Sequence, residues 1–274
     1  GRASRSGEVQ WVAIAHQPAR DREDTNAWRS QPRAPLSDND PMHTVVDHLV
    51  VIADSLEAGE RWCERTLGLP PGPGGRHPLM GTHNRLLRID SPGFPDAYLE
   101  IIAIEPGATT ERRANQRRWF DMDDPVLARR LVHNGPQLAH WVARTTDIEQ
   151  ARHRWQALGI DRGEALAAQR MSPQGLLAWQ ITVRDDGARL FEGCLPTLIQ
   201  WGPLHPAKAL PGCGLALERL RIVHPQAAVL NTAWEAAGLT GVPVDEGPAH
   251  LEATLATPRG RVVIRSASPA SAAN

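Results

Sequence analysis

The 274-residue sequence predicts an α+β fold of repeated βαβββ units. Three observations carry that expectation. A β-rich apolar run, a capped helix and further strands follow one another, and the series recurs along the chain. Each copy sets a Trp late in its helix, at Trp62, Trp155 and Trp234, with a Gly a few residues on. In the later copies, short turns containing Pro and Gly stand where hairpins need them, at Ser172-Pro173-Gln174-Gly175 and Pro258-Arg259-Gly260.

The first unit occupies residues 42–110. His48-Leu49-Val50-Val51-Ile52 is its opening strand. Asp54-Ser55 caps a helix whose apolar face is Leu56, Trp62, Cys63 and Leu67, and Gly68 ends it. Strands follow at 83–89 and 97–104. The second unit, residues 137–205, repeats the series. Its strand is His140-Trp141-Val142-Ala143, its cap Asp147, and its helix positions Ile148, Ala151, Trp155 and Leu158, stopped at Gly159. A hairpin of 165–170 with 176–183 and a last strand at 196–201 complete it.

The third unit, residues 206–274, is fainter. It has a strand at 217–223, Pro225 as first helical residue, Leu230 and Trp234 facing inward, and a hairpin of 250–257 with 261–265. Residues 111–136 are charged and read as a partly helical, solvated connector, with an interface element or a lid as the alternatives. Residues 1–41 are polar and charged around one short apolar patch. They read as a disordered or non-native extension, with Met42 as the biological start.

Hydrophobic residues at 41% and charged residues at 22% describe a soluble globular chain, long enough to bury a sizeable core. A net charge of -1 gives no electrostatic case for nucleic acid or membrane partners. Lys208 is the only lysine, which codon bias in a GC-rich, bacterial source explains. Cys63, Cys194 and Cys213 are odd in number and show no C-x-x-C spacing, so a reduced, cytoplasmic protein is expected. Neither a membrane span nor a signal peptide is visible, and no nucleotide-binding motif suggests a nucleotide cofactor.

Residues 47–90, DHLVVIADSLEAGERWCERTLGLPPGPGGRHPLMGTHNRLLRID, and 97–106, AYLEIIAIEP, carry a resemblance. With LPTLIQWG (195–202) and TPRGRVVIRS (257–266), they resemble the glyoxalase-like domain family of the vicinal oxygen chelate (glyoxalase/bleomycin resistance/dioxygenase) superfamily. The block GGRHPLMGTHN, 74–84, is the most specific part. The resemblance implies paired modules whose curved mixed sheets form a cleft. It also implies a divalent metal (Zn, Ni, Mn or Fe(II)) held by one ligand from the first and one from the last strand of each module. The implied activity is a metal-dependent lyase or isomerase on a small oxygenated substrate. A metal-free sequestering protein and an Fe(II) extradiol-type dioxygenase are the alternatives. A leftover third module would pack beside the pair or mediate a homodimer.

Residue by residue, the metal set this implies is His48, Glu100, His140 and Gln200. Gln200 comes from aligning Tyr98-Leu99-Glu100 with Leu198-Ile199-Gln200, and it departs from the family's second Glu. Two imidazoles, a carboxylate and an amide oxygen suit such metals. Glu100 and His83 are the catalytic candidates. Arg76, His77 and Asn84 in the signature block, with Arg170 and Gln180 on the opposite wall, are the substrate-binding candidates. His133, His205 and His224 stand alone and are expected at the surface.

Overall fold

The computed structural model of the chain describes residues 11–13, 42–110, 112, 115–172 and 174–267. The reading of 1–41 as an extension lies outside them, apart from strand β1 (Trp11–Ala13), which pairs with β7 (Glu164–Ser172).

The first module runs β2 (Thr44–Ile52), α1 (Leu56–Leu67), β3 (Arg76–His77), β4 (Thr82–Arg88), β5 (Tyr98–Ile104). The second runs β6 (Gln137–Thr145), α3 (Ile148–Ala157), β7, β8 (Gly175–Val183), β9 (Thr197–Trp201). Helix α2 (Pro125–Asn134) lies between them. Helix α1 starts at Ser55, whose hydroxyl accepts from Ala58 N, and α3 at Asp147, whose carboxylate accepts from Gln150 N.

The two modules join edge to edge through their opening strands. The nine-stranded sheet has the order β1-β7-β8-β9-β6-β2-β5-β4-β3. Within each module the last strand therefore lies beside the first, and parallel to it. Strands β2 and β6 pair antiparallel, His48 against Val142 and Val50 against His140, with bulges at Asp47 and Ala139. A two-fold operation exchanging the strands carries Asp47 onto Ala139, and His48 onto His140. The same offset relates the caps Ser55 and Asp147. In the parallel pairs Val50 faces Glu100 and Val142 faces Thr197, so the operation carries Glu100 onto Thr197.

The third unit, β10 (Ala216–Val223), α4 (Ala227–Ala237), β11 (Val244–Asp245), β12 (His250–Thr257) and β13 (Gly260–Arg265), has the same element order but another topology. Its sheet runs β11-β10-β12-β13, with β11 parallel to β10 on the edge away from the hairpin. One continuous core unites its inner face (Leu217, Ile222, Leu251, Ala253) with α1, α3, α4 and the outer face of the large sheet. Trp155 is fully buried in that core and donates its indole N–H to Ala233 O at 2.7 Å, tying α3 to α4. Trp155→Ala is expected to cost about 3–5 kcal/mol, read as a shift in denaturant midpoint.

The other face of the large sheet carries a second core. Val50, Ile52, Ile102, Val142, Ile181 and Ile199 meet Phe120, Met122, Leu127 and Leu131 there. Residues 119–131 of this stretch thus place an apolar face over the sheet and are more than a solvated connector. Its hydrophobics were hidden in the sequence among arginines and aspartates. Among the described residues no helix is long and apolar enough to cross a membrane.

Candidate active site

Residues on the concave face build the site. His48 and Glu100 come from adjacent strands, with Nε2 and Oε2 3.7 Å apart. Asp47, at the bulge, holds the far side of His48: Oδ1 accepts from Nδ1 at 2.6 Å. A carboxylate can only accept, so Nδ1 carries a proton and Nε2 is the nitrogen that faces Glu100. Asp47 is fully buried and also accepts from Trp201 Nε1 at 3.0 Å and His205 Nε2 at 2.9 Å. His205 is set for that role because its Nδ1 accepts from Ala207 N. Burial alone would raise the Asp47 pKa. The hydrogen bonds from His205 and His48 outweigh it and hold the carboxyl well below its ordinary range. Tyr98 stacks on His48 with ring centroids 4.4 Å apart.

Glu100 is 6 % exposed. Burial raises its pKa, opposed by His48 and by Asn84, whose Nδ2 donates to Oε1 at 2.6 Å. Asn84 is itself fixed by Gly75 N, which donates to its Oδ1 at 2.7 Å. The signature block owes part of its glycine content to this approach: a Cβ on Gly74 would stand 1.9 Å from Asn84 O. His77 brings Nε2 to 3.9 Å from Glu100 Oε1, and burial drives its pKa down to about 3, so it is neutral at pH 7.

Arg170 faces this group from β7. In a flat sheet β7 and β5 would lie about 24 Å apart, five spacings of ~4.8 Å. Arg170 instead interacts electrostatically with Tyr98 and Glu100, so the sheet curls into a half-barrel whose walls meet over the acid. Trp119 closes the group with its edge against His77, 5.1 Å between centroids, while Phe120 covers His140 at 5.0 Å. Phe120 (φ 60) and Asp121 (φ 57) are left-handed, at about 1–2 kcal/mol each. The bond from Arg189 Nε to Asp121 Oδ2, 2.8 Å, holds them there.

Several expected site residues sit elsewhere. Gln200 is on the outer face beside Leu198, and its Oε1 accepts from Ile148 N at 2.9 Å at the start of α3. It is a helix anchor. Gln200→Ala is expected to cost about 1–3 kcal/mol in thermal unfolding while leaving ligand affinity unchanged. Gln180 pairs with Gln200 and shares that face. His83 lies one residue from Asn84 and so points away from the cleft, to the side where its neighbour-but-one Arg85 meets Glu60 of α1. Arg76 is largely exposed and pairs with Glu105. His205 and His224 are not surface residues. His205 meets Asp47, and buried His224 meets Glu192 at 2.8 Å. Asp47, Tyr98, Trp119, Thr197 and Arg162 complete the site and were not singled out in the sequence. Only Asp47, next to His48, had a sequence signal.

A four-ligand metal does not fit these donors. His140 is fully buried, and its Nδ1 donates to Gly193 O at 3.1 Å, so Nε2 is left as the acceptor. That lone pair is already taken by Thr197 N at 3.2 Å and Arg162 Nη2 at 3.3 Å, with Thr197 Oγ1 at 3.0 Å. The register puts Thr197, not a carboxylate, opposite Glu100, and a guanidinium stands against the pair. Among the described residues no group of three or more His, Cys, Asp or Glu is arranged to hold a metal.

Two βαβββ modules paired through their opening strands, with polar groups gathered on the concave face, are the architecture of the vicinal oxygen chelate superfamily. The chain belongs to the glyoxalase-like domain family, which matches residues 46–238. Among solved structures it is similar to a hypothetical protein from Staphylococcus aureus (16% identity, 81% of this chain and 84% of that one, TM-score 0.47). It is also similar to a Streptomyces coelicolor methylmalonyl-CoA epimerase in complex with 2-nitronate-propionyl-CoA (16% identity, 57% and 95%, TM-score 0.36). A third is the Mycobacterium tuberculosis methylmalonyl-CoA epimerase (15% identity, 60% and 91%, TM-score 0.33). No curated protein matches the chain.

Proposed function

We propose that this glyoxalase-like protein is an isomerase- or lyase-type enzyme that moves a proton on a small oxygenated, anionic substrate. The observation that carries the reading is the facing pair of His48 Nε2 and Glu100 Oε2, each held by its own buried partner. His48 is the base, poised to take a proton from carbon next to a carbonyl. Asp47 orients it and stabilises the imidazolium that forms. Glu100, whose pKa burial raises, is the acid that returns a proton to oxygen or carbon. Arg170 supplies a cation for the substrate's anionic group. The ligand set that the resemblance implies for a metal-dependent lyase or an Fe(II) dioxygenase includes His140, whose Nε2 lone pair is committed to Thr197 and Arg162. Cys63, Cys194 and Cys213 are all free thiols, which accords with a reducing compartment such as the cytoplasm.

A second reading, a protein that binds and sequesters a small molecule, is favoured by how well covered the site is: side chains of His48, Glu100 and His77 are 7%, 8% and 13% exposed. One experiment separates the two. Small 2-oxo and 3-oxo acids are incubated with the protein in D2O and followed by proton NMR. The enzyme reading expects a compound whose proton next to the carbonyl exchanges with wild type and not with Glu100→Gln. Compounds that bind tightly with no exchange in any case would leave only sequestration.

A further inference from the structure

Arg162 stands beside the half-site where the superfamily would place a metal, and it is itself a cation. It lies on the segment between α3 and β7 and is 3% exposed. Its Nε donates to Pro196 O at 2.9 Å, and its Nη2 donates to Thr197 Oγ1 and His140 Nε2. All three partners are neutral. Asp121, Asp161 and Asp186 act on it only from a distance, and among the described residues it forms no ion pair. A buried charge without a counter-ion is costly. Burial, with Arg184 nearby, accordingly brings its pKa down to about 10.

Beside the guanidinium is a small cavity lined by Arg162, Trp119, Phe120, Thr182, Gly187 and Thr197. It has room for one water-sized atom, about 10 Å³. Trp119 is a wall residue too, and its indole Nε1 is buried with no acceptor among the described residues. A guanidinium and a wall residue with an unmatched N–H beside a space for one atom call for an anionic acceptor. Trp119 also separates this cavity from the acid–base pair by resting on His77.

We propose that this cavity binds a small monoanion, a halide or one oxygen of a carboxylate, and that Arg162 is the resident cation of the second half-site in place of a metal. The inference does not depend on the proton-transfer reading and can stand if that reading fails.

The test is thermal unfolding of the full chain in sulfate buffer, titrated separately with chloride, formate, and the sulfates of Zn, Mn and Ni. A saturable rise in Tm with chloride or formate is expected, lost in Arg162→Met and weakened in Trp119→Phe. Formate alone saturating assigns the cavity to a carboxylate oxygen, and chloride alone to a halide. A rise that never saturates, or one of equal size in Arg162→Met, would overturn the proposal. So would a stoichiometric divalent metal, found by elemental mass spectrometry and lost on His140→Ala. If Arg162→Met does not fold, the wild-type titration with Trp119→Phe still decides, because no saturable response in wild type is fatal.

Discussion

Asp47→Asn is expected to be the most damaging single substitution in the cleft. The carboxylate is fully buried and receives donors from His48, His205 and Trp201, with Arg144 Nη1 at 4.0 Å. An amide in its place presents an N–H to at least one of those donors, and removing one charge of a buried network costs about 3–5 kcal/mol. The chemistry suffers as well, since His48 loses the group that fixes its tautomer. The sign of the pH effect follows from the depressed pKa of Asp47. An acid held below its ordinary value contributes stability that is fully present above about pH 3.9, its unfolded value. That contribution is lost as the pH falls from there toward the folded value. Wild type therefore loses stability below about pH 4. Asp47→Asn, already destabilised, has a flatter acid limb. Urea midpoints from pH 7 down to pH 3 check both statements.

Glu100→Gln is expected to do the opposite to stability while abolishing turnover. The side chain is buried and its pKa is raised, so the ionised form is disfavoured by the fold. For an acid with a raised folded pKa, the contribution to stability is greatest below the unfolded value of about 4.3 and declines as the pH rises through it. Gln keeps the shape and a carbonyl to accept from Asn84 without that decline. The variant should melt higher than wild type at neutral pH, by about 2–4 °C for each kcal/mol relieved, and the gap should close on acidification. Proton exchange into a bound oxo acid should fall by about 10²–10⁴-fold. A rise in stability paired with a loss of activity marks a functional residue, because a structural one loses both. Melting curves and exchange rates on the same preparation check the pairing.

How much of this was legible in the sequence depends on which distances the residues span. The repeat was legible, because period and caps are local: His48 and His140 match through their strands and through the caps Ser55 and Asp147. Of Asp54-Ser55 it is Ser55 that caps α1, seven residues after His48 as Asp147 is seven after His140. Glu100 in the apolar run YLEIIAI stood out because a carboxylate there needs a partner. Gln200 misled for a physical reason. Strand β9 is buried on both faces, so its apolar pattern has no alternation to fix which side chain points where. Aligning it on Glu100 slipped the register by three residues, an odd number, and put the wrong face in the cleft. His83 stands one residue from Asn84 on β4, where burial alternates, and so faces the other side of the sheet. Asp47–His205, Arg162–Thr197 and Trp119–His77 join positions far apart in the chain, and no local pattern signals them.

The central claim is that Glu100 is a buried acid facing His48 Nε2, and the most direct measurement is a carboxyl-carbon NMR titration of protein labelled at Glu. The account predicts one carboxyl titrating clearly above the ordinary glutamate range, absent from the spectrum of Glu100→Gln, with its midpoint moved when His48 is changed to Gln. A Glu100 signal that titrates in the ordinary range and ignores His48→Gln would contradict it.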